Sequence, residues 1–281
     1  MSKLEVICIG EALIDKIINT SDSNFKNYLG GAPANVVCAL RKLNVPAAFI
    51  GCLGDDDFGR EFINLFKQLN INIDFLQIAK QSPTRIVKVS RDESGDRSFS
   101  GFEFNKSNTF ADQMLDKSFI MNNLKNLKKQ FLNTKYIVTG TNLLASSKSA
   151  ESLYFILDFA KKFSIKVIID VNWREIFWDH SEIDKDTQFK KVKDFLHHAD
   201  ILKLAREEAE LFFDTKDPSE ISKVLIKQPD IIITNGANPI NWYLNGVKGV
   251  NEVVKNTSKI IDTTGAGDAF LAGLISRYYL D

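Results

Sequence analysis

What most limits the fold open to this 281-residue chain is a recurring alternation of two patterns. Short runs rich in β-branched and aliphatic residues occur at 5–10, 47–54, 136–140, 166–170, 200–204 and 230–234. They are continuous rather than alternating, as expected of strands buried on both faces. Between them, apolar residues recur with helical spacing. Val36, Val37, Leu40 and Leu43 form one stripe over 33–43, with Pro33 suited to a first helical turn. Phe58, Phe62, Leu65, Phe66 and Leu69 form another, and further helices are predicted over 149–163, 187–198 and 206–213. Such alternation predicts an α/β fold in a single domain, 1–281, with three layers around a mostly parallel sheet.

Two regions break the rhythm. Residues 11–20 and 84–102 alternate with period two, and the second contains a turn signal at Glu93-Ser94-Gly95-Asp96. They predict a small separate sheet, with strands inserted at about 11–30 and 84–104, forming a lid over a site. Asn245-Gly246 is a hairpin signal. The basic stretch 121–131 reads as a solvated helical face.

Basic and acidic residues are equal in number, 36 each, so no broad field draws the chain to nucleic acid or membrane. The start lacks the charged and apolar regions of a secretory leader, and no apolar run approaches a membrane span. Cys8, Cys38 and Cys52 lack metal-type spacing and read as thiols of a reducing, cytoplasmic compartment.

The chemistry concentrates in three stretches. Near the C-terminus, "DTTGAGDAF" (262–270) puts Gly265, Ala266 and Gly267 before an apolar helical run. Unpaired N–H groups and the dipole at a helix start make an anion hole, and glycines let a phosphate approach. Asp268 repels phosphate, so it makes sense there if it touches the group that attacks the phosphate. Otherwise it is an ordinary first-turn acid stabilised by the dipole. In "YLGGAPANVVCAL" (28–40), Gly30 and Gly31 either punctuate a helix start or let a hydroxyl-rich ligand pack on bare backbone. Asn35 would then offer a donor and an acceptor, and Asp15 in "GEALID" a carboxylate for two hydroxyls. In "DVNWR" (170–174), Asn172 and Arg174 follow a buried strand, where open α/β sheets bind ligands, and Arg suits phosphate. No G-x-x-x-x-G-K-[ST] run occurs, and Phe270 stands where a dinucleotide fingerprint needs its third glycine.

Together these stretches resemble the ribokinase-type (PfkB) carbohydrate kinases over the whole chain. "GEALID", "GGAPAN" and "DVNWR" are most similar to the fructokinase branch. The resemblance implies that Asp268 accepts the proton of a sugar hydroxyl while the amides of Gly265, Ala266 and Gly267 stabilise the transferring phosphoryl group. It implies sugar contacts from Asp15, Gly31 and Asn35, and a phosphate contact from Arg174. Lys203, Thr234, Gly236 and Thr263 would lie along ATP, Glu208 would serve Mg²⁺ carried by the nucleotide, and a monovalent cation would sit near Asp262. A homodimer through the lid is a further implication. The implied reaction is phosphorylation of fructose to fructose 6-phosphate. Ribose, a ketodeoxy acid or a nucleoside are alternative acceptors, and a catalytically weakened binding or regulatory protein is an alternative role.

Three departures bear on activity. Ala205 stands where the family usually carries Asn or Ser three residues before Glu208, and Pro239 replaces a usual glycine. The segment "SFSGFEFNKSN" lacks the aromatic–Arg pair of many fructokinases. Because the sequence ends at Asp281, soon after the Asp268 motif, weak ATP binding and an apolar patch beside the last helix are expected.

Overall fold

A computed structural model describes residues 4–19, 25–91, 97–103, 109–178, 184–253 and 263–280. The chain begins β1 (Val6–Ile9), β2 (Leu13–Asn19), β3 (Phe25–Gly30), α1 (Ala32–Lys42), β4 (Ala47–Gly54), α2 (Asp57–Gln68) and β5 (Asn72–Ala79). It continues through β6 (Ile86–Arg91), β7 (Arg97–Phe102), α3 (Lys117–Asn122), α4 (Leu124–Phe131), β8 (Tyr136–Thr139), α5 (Ser147–Lys161) and β9 (Lys166–Asp170). The rest is α6 (Lys185–Leu196), β10 (Ile201–Ala205), α7 (Arg206–Phe213), α8 (Pro218–Val224), β11 (Asp230–Asn235), β12 (Asn238–Leu244), β13 (Val247–Asn251) and α9 (Ala266–Leu274).

One sheet has the order β13-β12-β11-β10-β9-β8-β1-β4-β5. Its pairs from β5 across to β11 are parallel, and β12 and β13 extend it antiparallel. Alternate residues of β1 feed two cores: Ile7 and Ile9 face α4, α5 and α6, while Val6 and Cys8 face α1, α2 and α9. That double burial is why the strand carries no polar residue. β2, β3, β6 and β7 form a separate sheet in the order β3-β2-β6-β7. On β6 Val87 and Val89 are buried while Ile86 and Lys88 between them are partly exposed, the alternation that produced the period-two pattern, and Phe25 and Tyr28 on the edge strand are exposed.

The connections decide where ligands can go. From β1 the chain proceeds to β4 on one side, and from β8 it proceeds to β9 on the other. Such a reversal leaves a crevice beyond the carboxyl ends of the two strands. Where sequence and structure differ, the reasons are local. β3 falls within the strands expected at about 11–30, whereas β5, α3 and α8 are short or mixed in pattern and escaped prediction, and the basic stretch at 121–131 falls across α3 and α4, with Leu127 and Phe131 buried. The turn at Glu93-Ser94-Gly95-Asp96 lies outside the described residues. Asn245 and Gly246 form the predicted hairpin turn between β12 and β13, both with positive φ. Leu271, Ala272 and Ile275 are buried beneath α1, so among the described residues of the last helix Tyr278 is the large apolar side chain left exposed.

Candidate active site

A cleft of about 350 Å³ lies in that crevice. α1 and α9 both begin at its rim, aiming two helix N-termini at the same space. Gly31 precedes α1 with φ 97°, and a Cβ there would come 2.5 Å from the Glu11 carbonyl oxygen. Only glycine can make that turn against β1's following loop. Gly265 precedes α9 with φ 70° and does the same at the second helix.

The two helices join through their first turns. Asn35 on α1 donates through Nδ2 to Oδ2 of Asp268 on α9, 2.8 Å away. Burial pushes the Asp268 carboxyl up to about 6; the Asn35 hydrogen bond opposes that rise, the Asp170 charge adds to it, and Lys203 and Arg174 oppose it. At neutral pH the carboxyl is therefore mostly ionised.

A buried ion pair forms the opposite wall. Lys203 Nζ on β10 donates to Asp170 Oδ2 at the end of β9, at 2.7 Å. Burial alone would lower the lysine's pKa, but Asp170, Glu208 and Asp268 together hold it above its ordinary value. A Cβ on Gly267 would lie 3.4 Å from that ammonium, so the lysine charge stands beside the start of α9. Glu208 accepts from the Trp173 and Ala205 amides, both at 2.7 Å, and ties the loop after β9 to the start of α7. Burial raises its pKa. Among the described residues no three His, Cys, Asp or Glu side chains cluster as metal ligands. Two of the cleft's carboxylates, Asp170 and Glu208, are taken up by Lys203 and by the Trp173 and Ala205 amides.

Of the residues singled out by sequence, Asp15, Gly31, Asn35, Arg174, Lys203, Glu208, Thr234, Thr263, Gly265, Gly267 and Asp268 all line this cleft. Gly236 instead sits in the exposed β11–β12 turn, outside the lining. The Ala266 amide donates to the Thr263 carbonyl at 3.1 Å, closing the turn before α9, and Ala266 is likewise outside the lining. Asp262, with the cation site suggested there, lies outside the described residues. A second cavity of about 480 Å³, bordered by Tyr28, Cys38 and Lys42, shares Asp15, Asn35 and Asp268 with the first.

Sequence reasoning missed Glu11 and Asn142. Glu11 follows β1 inside "GEALID" and is 2% exposed, yet it lines the cleft. Its Oε1 accepts from the Ala32 amide at 3.2 Å and from Asn142 Nδ2 at 3.1 Å. Burial pushes its carboxyl up to about 7, against the lowering effect of these donors. A carboxylate directly after a fully apolar strand was the available signal. Asn142 carried none, because its partner is remote in sequence.

Residues 3–280 match the family described as pfkB family carbohydrate kinase. A fructokinase of Vibrio alginolyticus is 29% identical, the match covering 97% of this chain and 83% of that protein. The fructokinase of Xylella fastidiosa with bound ATP superposes with a TM-score of 0.81 at 25% identity, over 99% of this chain and 82% of that one. A double mutant of the Vibrio cholerae O395 fructokinase, in a fructose, ADP and potassium ion bound form, gives a TM-score of 0.81 at 26% identity, over 98% and 84%. With the family match spanning nearly its full length, this chain belongs to the pfkB family of carbohydrate kinases.

Proposed function

We propose that the protein is an ATP-dependent kinase that phosphorylates fructose on its primary hydroxyl to give fructose 6-phosphate. The carrying observation is the Asn35–Asp268 contact: a poised carboxylate at the mouth of a helix N-terminus, on the helix that follows the glycine turn. The fructokinase names of its relatives, and the fructose and ADP bound by one structural neighbour, support the same acceptor and donor.

In this reading Asp15, the Gly31 backbone and Asn35 hold the sugar hydroxyls. Asp268 takes the proton from the primary hydroxyl as its oxygen attacks the γ-phosphorus and the bond to ADP breaks. The amides of Gly265 and Gly267, with Lys203 and Arg174, stabilise charge on the transferring group. Phosphoryl transfer has a loose transition state, so this positioning matters more than early proton removal. Thr234 and Thr263 flank the nucleotide. Mg²⁺ bound to ATP would neutralise phosphate charge, with Glu208 keeping the adjacent loops in register. The small sheet acts as a lid that excludes water, and its exposed Phe25 and Tyr28 are the surface for a homodimer. A cytoplasmic setting suits the three free thiols.

A coupled ADP-release assay over fructose, ribose, a ketodeoxy acid and adenosine tests the proposal. Fructose should give the highest kcat/KM. Binding of fructose without ADP release would instead identify a sugar-binding protein that has lost turnover.

A further inference from the structure

A groove of about 380 Å³ lies between α6, α7 and α8, at the end of the molecule away from the cleft. α6 and α8 lead to the starts of β10 and β11, whereas Ala205 and Thr234, which line the cleft, sit toward the far ends of those strands. Phe212 and Leu225 are its buried floor, with Leu211 and Val224 beside them. Leu211 is 43% exposed, Val224 64% and the neighbouring Ile226 80%. The Ile226 amide donates to Nδ1 of His197, which also lines the groove, at 3.2 Å. Lys227 Nζ donates to the His198 carbonyl at 2.8 Å and to both Asp200 carboxylate oxygens at 3.0 and 2.9 Å. The projecting isoleucine is thus carried by a loop that is tied down on both sides.

Single exposed aliphatic side chains are ordinary, but three in one patch mark a surface that another molecule covers. The patch itself specifies a second copy of the chain. It places a hole, the groove, next to a knob, Ile226. It also places a cation next to an anion. Lys193 on α6 and Asp214 after α7 both line the groove, and neither has an ion-pair partner among the described residues, although Lys190 on the same helix is paired with Asp194. Across a two-fold axis, residues of a patch meet other residues of the same patch, and each contact occurs twice. Ile226 of each copy then enters the other's groove, and Lys193 of each faces Asp214 of the other.

We infer that this groove is an isologous interface between two copies of the chain, with Ile226 as its anchor and Lys193 and Asp214 as its rim. It is separate from the Phe25 and Tyr28 face of the small sheet, so one copy can engage both surfaces. Because it lies at the opposite end of the strands from the cleft, association here leaves turnover unchanged.

Sedimentation velocity of the full chain across a wide concentration range tests this. The wild type should self-associate, and Ile226→Asp should halve the assembled mass, whether or not the small sheet also pairs, by raising the Kd of this contact at least about 100-fold. Lys193→Glu and Asp214→Lys each set like charges together at both rim contacts and should each weaken association about tenfold. Mixed in equal amounts, the two variants restore opposite charges at both contacts and should associate as tightly as wild type. Asp214 has φ 54°, which Asn also tolerates, so Asp214→Asn replaces the lysine variant if circular dichroism finds that one unfolded. Its mixture with Lys193→Glu should then associate more tightly than Lys193→Glu alone. A wild type that is monomeric throughout would overturn the inference, and so would an assembled mass indifferent to Ile226→Asp. Charge variants that fail to recover on mixing would exclude a second copy as the occupant of the groove.

Discussion

Asn35 and Asp268, 233 residues apart in sequence, are joined by a 2.8 Å hydrogen bond between the first turns of two helices. The bond has two consequences. It orients the carboxylate, and it favours the ionised form against burial that raises its pKa. A hydroxyl bound between the two residues would find a base already aimed.

Asp268→Asn should therefore lower kcat by about 10²–10⁴ while fructose still binds, the usual worth of a positioned base. Steady-state kinetics and calorimetry on the same preparation separate the two effects. Near-normal turnover would remove Asp268 from the base role.

The pH profile follows from the same group. Activity that depends on ionised Asp268 should fall below pH 6, the value to which its carboxyl is pushed up. Asn35→Ala removes a stabiliser of the anion, so the acid limb of kcat/KM should move to higher pH even though overall activity drops. An acid limb that stays in place would mean that another group governs it.

Glu11 makes a stability prediction with a definite sign. Its folded pKa, about 7, lies above its ordinary 4.5. Its contribution to stability is thus complete below the ordinary value and is lost as pH rises through 7. Glu11→Gln keeps an oxygen acceptor without the buried charge, and should be the more stable protein at pH 8 by on the order of 1–3 kcal/mol. At pH 4, below the ordinary value, the two should match. Urea unfolding at both pH values measures this, and a variant destabilised at pH 8 would contradict the burial argument.

These predictions mix residues that sequence could identify with residues it could not. The continuous apolar strands were legible because burial on both faces leaves a composition signal, as in β4, where every residue is buried. Gly31, Asn35, Gly265 and Asp268 were legible because helix starts need particular residues, and those needs are local. Asn142 was not, since it gains meaning only through Glu11 across the sheet. β5 was missed because its polar and apolar residues mix on a half-exposed edge. Ala266 illustrates the converse: the motif offers three amides, but turn closure on Thr263 takes one of them.

Arg85 anchors the small sheet to the body. Its Nε donates to both carboxylate oxygens of Asp112, at 3.1 and 3.0 Å, and its guanidinium lies 4.3–4.7 Å from the rings of Phe102, Phe110 and Phe177. Arg85 and Asp112 are 3% and 5% exposed, so neither can be removed alone without stranding the other. Arg85→Ala should cost about 3–5 kcal/mol, and Arg85→Met with Asp112→Leu should recover most of it. Arg85→Lys should recover little, because an ammonium cannot stack between rings as a planar guanidinium does. Chemical denaturation of the variants tests this; a lysine variant as stable as wild type would show that charge alone matters.

The last prediction concerns Ala205, the N-cap of α7. Its backbone amide is bonded by Glu208 Oε2, which is half of a capping box, but its methyl side chain cannot accept from the helix's own first turn. Ala205→Ser would supply the missing acceptor and should stabilise the protein by about 1 kcal/mol. Ala205 also lines the cleft beside Glu208, so the new hydroxyl would face the proposed phosphate end of the nucleotide. Two readouts divide the roles. A rise in Tm with KM for ATP unchanged assigns the position to helix capping alone. A rise in Tm together with a lower KM for ATP, at constant KM for fructose, identifies position 205 as a nucleotide contact that the natural alanine forgoes. No gain in Tm would mean that Glu208 already satisfies the start of α7, and the capping argument would fail.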